Sequence, residues 1–241
     1  MSNAPTTSNA REPCVRALAD DLFVAAGPER IAGLRLGTRM TIVRLPGNRL
    51  LLHSPVPYEP ALAASVEALG LPSFLVAPNK VHHLWLGSWA EAHPAATVYG
   101  APGLREKRRD LVFHRELADS PPPDWADALD QAWIAGAPHV NEVAFLHRAS
   151  RTLLLTDFAM NYPDLPEGRI TRLWLRAMGL GGGLRTSRLV RRLVRDRAAA
   201  RVSLERILAW DFDRVVVSHG EVVEAGGAAA LRAALGHLVG D

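Results

Sequence analysis

Three stretches of this sequence end a short apolar run in a side chain that can bind a metal ion or carry a proton. Phe74-Leu-Val-Ala77 reads as a buried strand, stopped by Pro78 and Asn79 just before the adjacent pair His82 and His83. Thr152-Leu-Leu-Leu-Thr156 leads into Asp157, and Arg214-Val-Val-Val-Ser218 leads into His219 and Gly220. Imidazole and carboxylate are common zinc ligands, and histidine also moves protons near neutral pH. Open α/β sheets gather such groups at the carboxyl ends of their strands, where loops converge over a rigid base. Each group has a plain alternative. Adjacent loop histidines commonly face solvent or bond to backbone, Asp157 could cap a turn or helix, and His219 could close a strand-ending turn.

Other residues offer less chemistry. Cys14 lies in an irregular lead-in, unlike an activated thiol. Gly181-Gly182-Gly183 has no preceding strand and no Walker lysine, so it is read as a hinge. Ser54 and Ser218 each neighbour a histidine but sit in no nucleophile elbow. His114 and His139 read as ordinary surface or core histidines, while His53 could cap a hairpin near the site. The six scattered tryptophans pack a core rather than form a stacking platform.

The elements that position these groups follow from periodicity. Met40–Pro46 and Arg49–His53 read as a hairpin across Gly47-Asn48. Glu59–Leu69 has helical spacing, and Gly70 stops it before the Phe74 strand. A helix over Leu84–Ala92 and a strand over Ala96–Gly100 follow, and Arg105–Arg109 reads as a solvated basic face. Ser120–Asp124 is a stiff proline loop, with a helical turn over Trp125–Asp130. Glu142–His147 and Arg151–Thr156 form a second hairpin that delivers Asp157. Ser203–Trp210 is helical, Arg214–Val217 a strand and Ala228–Val239 a closing helix. Cys14–Gly37 suggests only a short helix and a turn. Met1–Pro13 reads as a disordered lead-in.

Composition bounds the function. The 241 residues are 48% hydrophobic and 22% charged, an ordinary globular balance. We expect a lead-in over 1–38 and one domain over 39–241. A net charge of +3 does not call for nucleic acid, although a pI near 9.5 suits an acidic substrate. One cysteine, no membrane-length apolar stretch and no signal-peptide core over Met1–Glu12 point to a cytoplasmic protein. The segment 169–201 holds ten arginines and a single acid, Asp196. It reads as one or two basic amphipathic helices, broken at Gly179–Gly183. Such helices either pack their apolar side on the domain or meet an anionic membrane surface or acidic partner. The sequence leaves the oligomeric state open.

The order of candidate ligands, His-His, Asp, His-Gly, with hairpin-rich halves and a terminal helix, resembles the metallo-β-lactamase superfamily over roughly residues 40–240. Three phrases are more specific: Ala77-Pro-Asn-Lys-Val-His-His-Leu84, Glu142-Val-Ala-Phe-Leu-His-Arg-Ala-Ser-Arg-Thr-Leu153 and Trp210-Asp-Phe-Asp-Arg-Val-Val-Val-Ser-His-Gly220. They look like domain-of-unknown-function family 4336. The resemblance implies a four-layered αββα sandwich of α/β class, with a basic helical insertion near 169–201. It also implies a two-ion site, of which this chain keeps half. With the last position of the family's His-x-His-x-Asp-His at His83, Pro78 and Lys80 replace the first histidine pair, and neither is a normal zinc ligand. Shifting the register by one puts Asn79 and Val81 there and leaves the first site broken. The second site keeps His82, His83, Asp157 and His219 for one divalent ion, zinc first, with iron or manganese as alternatives. Lys80, pointing into the vacated site, would hold a substrate oxyanion or Asp157. The implied activity is hydrolysis of a small-molecule ester, thioester, lactone or phosphoester. The alternative is a non-catalytic relative that binds a small ligand or partner.

Overall fold

The computed structural model describes residues 15–28, 30 and 32–239. Seven strands pair in sequence order into one sheet: β1 (Val15–Ala19), β2 (Leu22–Ala26), β3 (Arg39–Leu45), β4 (Arg49–His53), β5 (Leu71–Ala77), β6 (Thr97–Gly100) and β7 (Arg115–Glu116). The first four form an antiparallel meander, and β4 to β7 run parallel. Parallel neighbours need crossovers, supplied by α1 (Pro60–Glu67), α2 (Leu86–Ala92) and α3 (Leu104–Lys107). Next come β8 (Leu129–Trp133), β9 (Val143–His147), β10 (Thr152–Leu155) and β11 (Met160–Tyr162). The chain continues through α4 (Arg169–Ala177), β12 (Gly183–Arg185), α5 (Arg188–Leu193) and α6 (Arg197–Leu208), and closes with β13 (Arg214–Val217) and α7 (Gly227–Val239). The second sheet has the order β13-β10-β9-β8, with β10 parallel to β13, while β11 and β12 form a separate ribbon.

Side-chain alternation along these strands creates the layers. Leu51, Phe74 and Val76 of the first sheet meet Phe145, Leu154 and Val216 of the second in a shared core. Their neighbours point the other way. Leu50, Leu52 and Leu75 pack beneath Leu62, Val66 and Trp89 of α1 and α2. Leu153, Leu155, Val215 and Val217 pack beneath Leu204, Ile207, Leu231 and Leu235 of α6 and α7. The result is helix, sheet, sheet, helix. Strands buried on both faces have to be apolar throughout, which explains the unbroken runs Leu50–Leu52 and Leu153–Leu155.

Several local expectations are corrected. The helix-and-turn reading of residues 14–37 gives way to the β1–β2 hairpin, whose pairing onto β3 starts the first sheet well before residue 39. Trp125–Asp130 turns only as far as Ala128, because Leu129 enters β8 and pairs with His147. The glycine hinge contains β12, held by β11. The disordered lead-in Met1–Pro13 and Cys14 lie outside the described residues.

Candidate metal centre

Four parallel strands, two from each sheet, end at the same edge of the shared core. β4 delivers His53 and Ser54, β5 leads to Asn79 and His82, β10 to Thr156 and Asp157, and β13 to His219. Their metal-binding atoms converge. Nε2 of His82 lies 3.2 Å from Nε2 of His219 and 3.4 Å from Oδ2 of Asp157. Nε2 of His219 lies 3.7 Å from Oδ1 of Asp157. The three side chains are only 7%, 12% and 7% exposed for His82, Asp157 and His219.

Each of the three side chains is oriented by a second contact. His219 donates its Nδ1 hydrogen to the Gly37 carbonyl at 2.7 Å, leaving the Nε2 lone pair to face the cluster. Nδ1 of His82 meets the Ser54 hydroxyl at 2.7 Å, and Ser54 reaches it from a backbone φ of 55°, which is unusual for a residue other than glycine. Asn79 joins two strands. Its Oδ1 accepts the backbone N–H groups of Val81 and His82, and its Nδ2 donates to Thr156 Oγ1 and to Asp157 Oδ2 at 2.7 Å. Below them, the buried Glu142 carboxylate accepts the backbone N–H groups of Thr156, Asp157 and Phe158, fixing the turn after β10. Arg39 donates to the carbonyls of Val217 and Gly220 on either side of His219.

Charge distribution in the site follows from burial and pairing. Burial alone would raise the Asp157 carboxyl, but His82, His219 and the Asn79 amide hold it well below the usual carboxylate range. Burial would likewise depress His82, yet the Asp157 carboxylate wins and raises it, favouring the protonated imidazole beside the carboxylate. Burial first, then the charge on His82, pushes His219 down to about 4, leaving it neutral. Glu142 is raised by burial and by Asp157, against the pull of its N–H donors.

The arrangement fits a divalent ion. Ligand atoms bonded to one tetrahedral zinc at about 2.0–2.1 Å stand roughly 3.3 Å apart, close to the separations seen here. Three protein ligands also leave a fourth position for water or substrate, as in catalytic rather than structural sites.

The four-ligand set expected from sequence does not assemble. His83, though adjacent to His82, turns its Nδ1 to the Arg108 guanidinium at 2.7 Å. Burial, Lys107 and Arg108 lower its pKa to about 4. The basic run 105–109 is therefore more than a solvated face. Arg108 also grips Asp110, and Lys107 donates to the Lys80 carbonyl. Lys80 bonds the Pro138 carbonyl at 3.3 Å rather than Asp157. His139 is exposed, and His114 accepts the Val98 N–H. Sequence reading missed Asn79, Glu142 and Arg39. Glu142, an acid opening an otherwise apolar strand, was the available signal. His53 is fully buried edge-on to Phe145, with Nε2 unpartnered among the described residues.

Two face-to-face sheets with outer helices, and ligands at their shared edge, define the metallo-β-lactamase fold, and solved structures agree over nearly the whole chain. DIM-1 metallo-β-lactamase matches with a TM-score of 0.64, covering 95% of each chain at 12% identity. VMB-1 matches at 0.66, covering 95% of this chain and 97% of its own, also at 12% identity. The metallo-β-lactamase FIM-1 from Pseudomonas aeruginosa, in its mono-zinc form, matches at 0.63, covering 93% and 95% at 11% identity. Likeness at such identity is likeness of fold. Within that fold, the chain belongs to the family described as domain of unknown function DUF4336, whose model matches residues 22–173. No curated protein matches it.

Proposed function

We propose that this protein is a metal-dependent hydrolase with a reduced, mononuclear centre in which His82, Asp157 and His219 hold one divalent ion. The carrying observation is the convergence of these three ligand atoms from three strand ends. Zinc suits the set best, and two histidines with one carboxylate also suit iron or manganese. When bound, such an ion supplies Lewis acidity toward an ester, thioester, lactone or phosphoester oxygen. The protein's own groups do the positioning. Gly37 and Ser54 set the two imidazoles, Asn79 and Glu142 hold Asp157, and His82 would have to be neutral at Nε2 to hold the ion. A cleft of about 1270 Å³, lined by Gly37, Arg39, Tyr162, Ser218 and Gly220, adjoins the backbone around His219 and offers space for a small-molecule substrate.

A second reading, a non-catalytic polar cluster, is favoured by the low exposure of the three side chains. Zinc-loaded protein assayed against aryl esters, thioesters, lactones and phosphodiesters separates the two. The hydrolase reading expects turnover of at least one class that His219→Ala abolishes. Natively folded protein that retains no zinc after loading and turns over no class supports the second reading instead.

A further inference from the structure

Helix α4 carries two stripes that the fold leaves unused. Thr171 and Leu175 are buried, and Trp174 packs in part against the same core. Ile170 and Leu173, three residues apart and hence on one face, are 79% and 71% exposed, with Ala177 and the half-buried Trp174 beside them. Arg169, Arg172 and Arg176 form a second exposed stripe alongside, at the same three- and four-residue spacing. Further along the chain Arg192 and Arg195 are exposed as well. Among the described residues, none of these five arginines has a carboxylate within salt-bridge distance, although Asp164 and Glu167 precede the helix.

Ile170 and Leu173 form an adjoining aliphatic patch rimmed by charge, the pattern of a protein- or membrane-contact surface. An adjoining row of unpaired guanidiniums selects an anionic counterpart. The aliphatic patch is too small for the centre of a stable protein interface, which takes about 800 Å² per partner and excludes charge from its middle. A bilayer surface suits both stripes, taking the aliphatic tips at the headgroup–acyl boundary and the arginines among lipid phosphates. We propose that α4 is a docking surface for anionic membrane lipid. The loop 164–167 entering α4 also forms a wall of the large cleft, so docking brings that wall to the lipid surface. The proposal is independent of the metal centre.

The test is flotation of the full chain with phosphatidylcholine vesicles, with and without phosphatidylglycerol. Flotation is expected only with the anionic vesicles and should fall as salt is raised. Replacing Arg169, Arg172 and Arg176 together by glutamine should weaken it roughly a hundredfold. Ile170→Ser combined with Leu173→Ser should weaken it as well, and these exposed changes should leave the melting temperature unaltered. Equal flotation with neutral vesicles, no flotation at low salt, or natively folded variants that float like the parent would each overturn the proposal. So would capture by polyglutamate without any vesicle binding, which would point to an acidic protein partner.

Discussion

Two adjacent histidines have opposite fates because one residue, Asn79, decides how the loop leaves β5. By accepting the N–H groups of Val81 and His82, its side chain bends the chain so that His82 turns toward Asp157, while His83 falls against Arg108. Asn79→Ala removes both the bend and the amide that tethers Asp157. We expect a loss of about 2–3 kcal/mol in urea unfolding, from several buried hydrogen bonds at once. Ion affinity should fall 10–100-fold, the usual effect of removing a group that orients ligands. A variant with unchanged zinc affinity would remove Asn79 from the account. Residue types and order made Asp157, His219 and one of the histidine pair legible in the sequence. Which histidine was not, since that choice depends on an Asx turn and on an arginine from the loop after α3.

At the level of elements, the site exists because β4, β5, β10 and β13 all end at one edge, each following a run that the layered core requires to be apolar. Those runs were readable for the same reason, as were the two hairpins and the terminal helix. β1, β2 and β8 were not. β1 lies at the sheet edge with exposed Arg16 and Ala17, and β8 carries Asp130 and Gln131, so their period of two is weak and pairing with neighbours decides them. The turn after β13 has a strict local demand. Gly220 has φ of 86°, and a Cβ there would lie 1.9 Å from the Asn161 carbonyl oxygen. Gly220→Ala should therefore cost roughly 2–4 kcal/mol, from left-handed strain plus displacement of backbone. It should also lower metal affinity by moving His219. A stable Gly220→Ala protein with native zinc affinity would show that the turn has slack.

For the whole molecule, the buried histidines set the response to acid. Burial, with the charge on His82, lowers His53 to about 3, and burial first lowers His83 and His219 to about 4. In the unfolded chain each titrates near about 6.5. Between those values the unfolded state holds more protons, so this contribution is complete above pH ~6.5 and is lost as pH falls toward ~4. His82 acts in the opposite sense. Its raised pKa makes its pairing with Asp157 a low-pH contribution that fades as pH rises through the folded value. Asp157, held low, keeps its own contribution until strong acid. His147 and His237 are lowered as well, so five histidines stand against His82 and the raised Glu142, and the metal-free protein should have a lower urea midpoint at about pH 5 than at about pH 7.5. A midpoint that rises on acidification would mean these imidazoles are not held neutral.

Ion content measured on tag-free protein addresses the assembled centre most directly, by elemental analysis after purification and after zinc loading of the parent, His82→Ala, His83→Ala, Lys80→Met and His219→Ala. One ion per chain is expected in the parent, His83→Ala and Lys80→Met, and loss of the ion in His82→Ala and His219→Ala. A parent that retains no ion after loading, or a His83→Ala protein that loses it while His219→Ala keeps it, would contradict a centre built from His82, Asp157 and His219.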